Sequence, residues 1–144
     1  MYDIIHNHKV VNVKTHATQT TGTAATTVKD LMEIAENGLR ERSSRGLLVV
    51  FVTTVNTTGD ITLTVQDSND NVTFDTDFIT LTKIEAAGVY VADLKGIRRY
   101  FKISSVCADA NVDWGAILIT FDAERKPVKQ SDTTELTATY GSGR

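Results

Sequence analysis

The chain has 144 residues, a net charge of −3 at pH 7, 41% hydrophobic and 23% charged side chains. These are the proportions of one ordinary globular domain, and they exclude wholesale disorder. The acidic balance lacks the basic surplus that general binding to nucleic acid or an anionic membrane requires. A single cysteine excludes an intramolecular disulfide.

The opening segment, Met1 to Lys9, is polar and carries His6 and His8. It lacks the charged start and long apolar run of a signal peptide, so assembly in a reducing cytoplasm is expected. On a strand His6 and His8 would share one side, but no third ligand stands close by, and a tight metal site needs three or four. With His16 they read as surface histidines. Val10 to about Ala17 predicts a first strand with Val11, Val13 and Thr15 on one face. Thr18 to Thr27 has no apolar periodicity and reads as a loop or loosely paired edge. Val28 to Ala35 fits either a two-turn helix through Val28, Leu31 and Ala35 or a strand ending at Asn37-Gly38. Leu39 to Arg45 reads as a charged turn.

Gly46 to Val55 is the strongest core element. Leu47, Val49, Phe51 and Val55 line one face and Leu48, Val50 and Val52 the other, so it belongs in the middle of a sheet or beneath another layer. Ile61, Leu63 and Val65 alternate with polar residues and bury one face only. Asp67-Ser-Asn-Asp-Asn71 mimics the start of a calcium loop, but the sixth position is Val72 instead of glycine and the twelfth is Phe78 instead of glutamate. It reads as a turn built by Asp and Asn side chains. Val72 to Phe74 and Phe78 to Leu81 predict short strands. Tyr90, Ala92 and Leu94 then alternate with Val89, Val91 and Asp93, and Lys95-Gly96 turns the chain. Phe101, Ile103 and Cys107 alternate with Lys102, Ser104 and Val106, making Cys107 a small buried hydrophobe. Trp114 through Phe121 is a second doubly apolar run. About eight short strands at this spacing predict a β-sandwich or barrel. Phe51, Ile103, Trp114 and Ile117 are expected between its sheets.

No catalytic constellation emerges. Asp75 and Asp77 share a face but flank a turn, where acids are solvated, and there is no nucleophile elbow, phosphate loop or zinc spacing. Neither a cofactor nor enzymatic activity is expected. The longest apolar run, Gly46 to Val52, is far too short to span a bilayer. Arg98-Arg99-Tyr100, with Lys95 and Lys102, is the most basic cluster, although strand alternation splits it between two faces. The polar tract from Glu124, with the single proline Pro127, reads as a tail mobile in isolation or an arm ordered only against a neighbour.

The series Val-Gln-Asp-Ser-Asn-Asp-Asn71, Ala-Ala-Gly-Val-Tyr-Val-Ala-Asp-Leu94 and Ile-Arg-Arg-Tyr-Phe-Lys-Ile-Ser104 resembles the jelly-roll head decoration, or cement, proteins of tailed bacteriophages, over about Gly46 to Phe121. The resemblance implies an all-β antiparallel sandwich over residues 10–123, with extended arms at 1–9 and 124–144. It implies a homo-oligomer, a trimer, seated on the major capsid protein lattice at the virion exterior after synthesis in the host cytoplasm. It carries no catalytic, cofactor or metal residues. Contacts to partners are expected from His6, His8 and Lys9, from Arg98 and Arg99, and from Lys126 and Lys129. The alternative is a non-catalytic tail or neck component or a carbohydrate-binding sandwich, although aromatics for sugar stacking are few.

Overall fold

The structure, a computed structural model, describes residues 10–34, 40–42 and 45–121. The expected arms at 1–9 and 124–144 lie outside them. Among the described residues there are eleven strands and no helix: β1 (Val10–Gln19), β2 (Gly22–Ala25), β3 (Lys29–Asp30), β4 (Met32–Ile34), β5 (Arg40–Arg42), β6 (Arg45–Val55), β7 (Asp60–Ser68), β8 (Asp75–Ile84), β9 (Gly88–Asp93), β10 (Tyr100–Ala108) and β11 (Val112–Phe121). One sheet has the order β1-β11-β6-β9, and a second has the order β2-β10-β7-β8 with β3 also on β10; β4 and β5 pair separately. Every pairing is antiparallel. Four of the pairs are nested along the chain, with β7·β8 innermost, then β6·β9, β2·β10 and β1·β11. Nested pairs rolled into two facing sheets make a jelly roll.

Alternation builds the core. Leu48, Val50 and Val52 of β6 with Trp114, Ala116 and Leu118 of β11 join Ile61, Leu63 and Val65 of β7 with Phe101, Ile103 and Cys107 of β10 in one buried cluster. As their two apolar faces require, β6 and β11 are the inner strands of their sheet.

Several expectations are corrected. The two-turn helix at 28–35 does not form over its described part. β10 offers a free edge that pairs Asp30 with Tyr100 and Lys29 with Phe101, and Leu31 N–H donates to Arg99 C=O at 2.7 Å. So short a helix has too few hydrogen bonds to offset its own nucleation; Ala35 lies outside the described residues. Arg40–Arg42 is a strand against Met32–Ile34 instead of a turn. Val72 to Phe74 is loop, because the Asp70 carboxylate takes the Val72 and Thr73 N–H groups that a strand would need, both at 2.9 Å. Val55 sits on the core side, not with Leu47 and Val49. Asp113 pairs with Thr54 but Trp114 with Val52, so Thr53 is an extra residue that inverts the alternation. Shifts in β1 between Asn12 and Lys14 and between Lys14 and Ala17 likewise leave Thr15 exposed while Val11 and Val13 are buried. Ile103 and Trp114 are fully enclosed, but Phe51 and Ile117 are only half-buried. They belong to the opposite side of their sheet.

Candidate interaction surface

Of the expected contact residues, Arg98 and Arg99 are described, and both are engaged within the fold. Arg98 N–H donates to Asp67 Oδ2 at 3.0 Å, and its guanidinium pairs with Asp75 and, at 3.8 Å, with the buried Asp67. Arg99 forms a two-pronged pair with Asp30, both contacts at 2.9 Å, and lies over the Tyr100 ring at 4.8 Å. The Asp30 carboxylate raises the Arg99 pKa further above its ordinary value. Together the two arginines tie β3, β7 and β8 to the start of β10. His6, His8, Lys9, Lys126 and Lys129 lie outside the described residues.

The calcium-like tract is a closed turn. Asp70 Oδ1 accepts from Ser68 Oγ at 2.8 Å as well as from the two backbone N–H groups. Those backbone bonds, Thr73 first, hold its pKa down at about 2. Three donors thus converge on one Asp70 oxygen and close the turn that the sequence reading expects. Cys107 is buried, its thiol donates to Ala110 C=O at 2.9 Å, and burial pushes its pKa up.

The two outer faces of the sandwich differ in chemistry. On β7, β8 and β10 the outward side chains include Thr62, Thr64, Thr80 and Ser104, and Thr64 sits across from both Thr80 and Ser104. On the other sheet, Leu47, Val49 and Phe51 of β6 share the outer face with Ile117 and Ile119 of β11 and Val89 and Val91 of β9. Register places them side by side: Val49 opposes both Ile117 and Val91, Leu47 opposes Ile119, and Phe51 opposes Val89. Val89 is 69% and Val91 58% exposed. The other five are half-buried, so the seven form one contiguous apolar face instead of scattered single hydrophobes. The period of two in β6 and β11 made this face visible, but the sequence did not show which side the second sheet would cover.

A half-open cavity of about 270 Å³ lies where β1 meets the β2–β3 edge of the other sheet. Asn12, Lys14, Gln19, Thr26, Lys29 and Ser105 are among its lining residues. At its back, Gln19 Oε1 accepts from Trp114 Nε1 at 2.9 Å and from Ser105 Oγ at 2.8 Å. An indole N–H can only donate, so the amide orientation is fixed. Gln19 is 8% exposed, and its Nε2 has no hydrogen-bond partner. Such an enclosed unpaired donor costs about 1–3 kcal/mol. Lys14 Nζ lies 4.6 Å from the Trp114 ring centre and donates to Trp114 C=O at 2.8 Å. Burial lowers the Lys14 pKa, opposed by the nearby Asp113 carboxylate. Nothing in the polar tract around Gln19 announced this site.

No protein-family model matches the sequence, and no curated protein matches it. Solved structures do. A chain from the structure of infectious bursal disease virus Gx strain aligns with TM-score 0.50 at 12% identity, covering 80% of this chain and 32% of that one. A VP2 mutant of the same virus, in derived T=1 particles, aligns at TM-score 0.41 and 13% identity over 80% and 31%. The CBM22-1–GH10 modules of Clostridium thermocellum xylanase 10B, complexed with xylohexaose, align at TM-score 0.40 and 13% identity over 78% and 29%. The chain spans about a third of the length of these solved chains. The fold is therefore a jelly-roll sandwich of the type found in a virus particle. At this identity the likeness extends to the fold and no further.

Proposed function

We propose that the chain is a non-catalytic structural component of a virion, and specifically a head decoration protein of a tailed bacteriophage that binds the major capsid protein lattice at the capsid exterior. The observation that carries the reading is the apolar outer face of β11, β6 and β9, on which Val89 and Val91 are exposed. Its occupant is a second copy of this chain. Leu47, Val49, Phe51, Val89, Val91, Ile117 and Ile119 bear no charge and no hydrogen-bonding side-chain group, so the matching surface must lack them too. The same face on another copy meets that condition, whereas the hydroxyl-bearing sheet and the charged turns do not. A face packed on itself closes as a pair, while a trimer requires the face to meet a different patch on the next copy. The trimer comes from the resemblance to cement proteins, and the measured mass distinguishes the two arrangements.

Contact with the shell is assigned to the terminal segments and loops, with His6, His8, Lys9, Lys126 and Lys129 as the polar contacts. Several weak contacts presented by one rigid oligomer bind far more tightly than any one alone. Likeness to a virus-particle chain supports the reading at the level of fold. Co-sedimentation with empty phage capsids and with isolated tails tests it. The expected result is a pellet with capsids only. Binding to tails alone would support the tail or neck alternative, and binding to neither would remove the virion reading.

A further inference from the structure

Strand β9 is an edge of the β1-β11-β6-β9 sheet, and the direction of its backbone groups follows from one hydrogen bond. Leu94 N–H donates to Gly46 C=O at 2.8 Å, one step beyond the rung where Asp93 pairs with Leu47. Alternate residues of an antiparallel ladder turn N–H and C=O toward the same neighbour. Ala92, Tyr90 and Gly88 therefore face β6, as Leu94 does, while Val91 and Val89 present both groups to the open edge. Their side chains stand on the apolar outer face, 58% and 69% exposed.

The other edges of the two sandwich sheets are blunted. Strands β1 and β8 carry register shifts against β11 and β7, and β8 bears Lys83 at φ 53°. Strands β2 and β3 have only four and two residues. By contrast, β9 pairs with β6 over six residues without a shift, holds no lysine or proline, and keeps its one charge, Asp93, at its end. Bulges, shortness, lysine and proline are what stop an edge from pairing with another chain. We infer that β9 pairs antiparallel with β9 of a second copy, across a two-fold axis at Tyr90. That axis sets Val89 opposite Val91 of the second copy, and Val91 opposite Val89, as hydrogen-bonded pairs that each exchange both N–H···O=C bonds. On the outer face, the row through Phe51 and Val89 continues into Val91 and Val49 of the second copy. Asp93 falls opposite Ala87, so like charges are not directly opposed. This contact joins sheet edges and is separate from the covering of the apolar face, so each can fail without the other. So small a contact is a weak one, formed at millimolar and not micromolar concentration.

Amide hydrogen exchange of the full chain, followed by NMR at micromolar and at millimolar concentration, tests the pairing. Tyr90 and Ala92 N–H should be protected in both samples. Val89 and Val91 N–H should exchange freely in the dilute sample and slow by roughly tenfold or more in the concentrated one. Val91→Pro removes an outward donor and should leave the β6 ladder intact, because an edge tolerates proline where the N–H would face solvent. It should abolish the slowing at Val89 while Tyr90 and Ala92 stay protected. The proposal is overturned if Val89 and Val91 exchange alike at both concentrations, if the slowing appears on another edge instead, or if Val91→Pro keeps it. Should Val91→Pro not fold, the contrast in the parent between the two valines and Tyr90 with Ala92 decides alone. An assembly that leaves both valine amides fast overturns the edge pairing and spares the reading of the face.

Discussion

Trp114, Phe101 and Phe51 are all aromatic residues in apolar strands, yet their surroundings differ. Phe101 and Trp114 are 0% and 1% exposed between the sheets, while Phe51 is half-buried on the outer face and stacks on His16 with ring centres 5.9 Å apart. Phe101→Ala should therefore cost about 3–5 kcal/mol, as expected for a fully buried aromatic. Phe51→Ala should cost clearly less; urea midpoints of the two variants measure the difference. Asp70 gives a prediction in pH. Its folded pKa, near 2, lies below the usual carboxylate range, because backbone N–H groups favour the charged form. The turn's contribution is thus fully present above the unfolded pKa and is lost as pH falls from about 4 through about 2. Asp70→Asn should melt below the parent at pH 7, and the gap should narrow steadily as pH falls from about 4 toward about 2. A gap unchanged with pH would mean that shape, not charge, holds the turn. Calcium at millimolar concentration should leave the parent's melting temperature unchanged, since a native-state site would raise it.

Strand pairing sets how closely β1, β11 and β6 approach. A Cβ on Gly115 would stand 2.6 Å from the Phe51 ring and 3.0 Å from the His16 Cα, one neighbour on each flanking strand. Gly115→Ala should then cost about 1–3 kcal/mol. Adding Phe51→Leu should recover part of that loss, a coupling that a double-mutant cycle detects. Additive losses would show that the ring is not the obstacle. Elements of this kind also show what could be read in advance. The faces of β7 and β10, and the two-sided character of β6 and β11, followed from alternation alone, because burial there depends on each residue's own side chain. The inverted face at Val55 did not, since a bulge is a choice between two strands. The short strands β2 to β5 are mostly polar, and for β2 and β3 the pairing is supplied by the open edge of β10. Gln19 was silent for the same reason. Its partners Ser105 and Trp114 lie 86 and 95 positions away.

At the scale of the whole molecule, the sandwich has a hydroxylated side and an apolar side, and only the first is suited to water. In the proposed assembly the apolar face is the surface that a second copy would cover. Val91, on the edge strand β9 opposite Val49, is 58% exposed. A charge there should spare the monomer's fold while placing an unpaired ammonium inside any contact made by this face. The direct test is light scattering coupled to size-exclusion chromatography at micromolar concentration, comparing the parent with Val91→Lys. The parent should elute as an assembly of more than one 15.8 kDa chain, a pair if the face packs on itself and a trimer if it meets another patch, and Val91→Lys should elute as a single folded chain. A parent that elutes at 15.8 kDa, or an assembly that Val91→Lys leaves intact, would contradict the account.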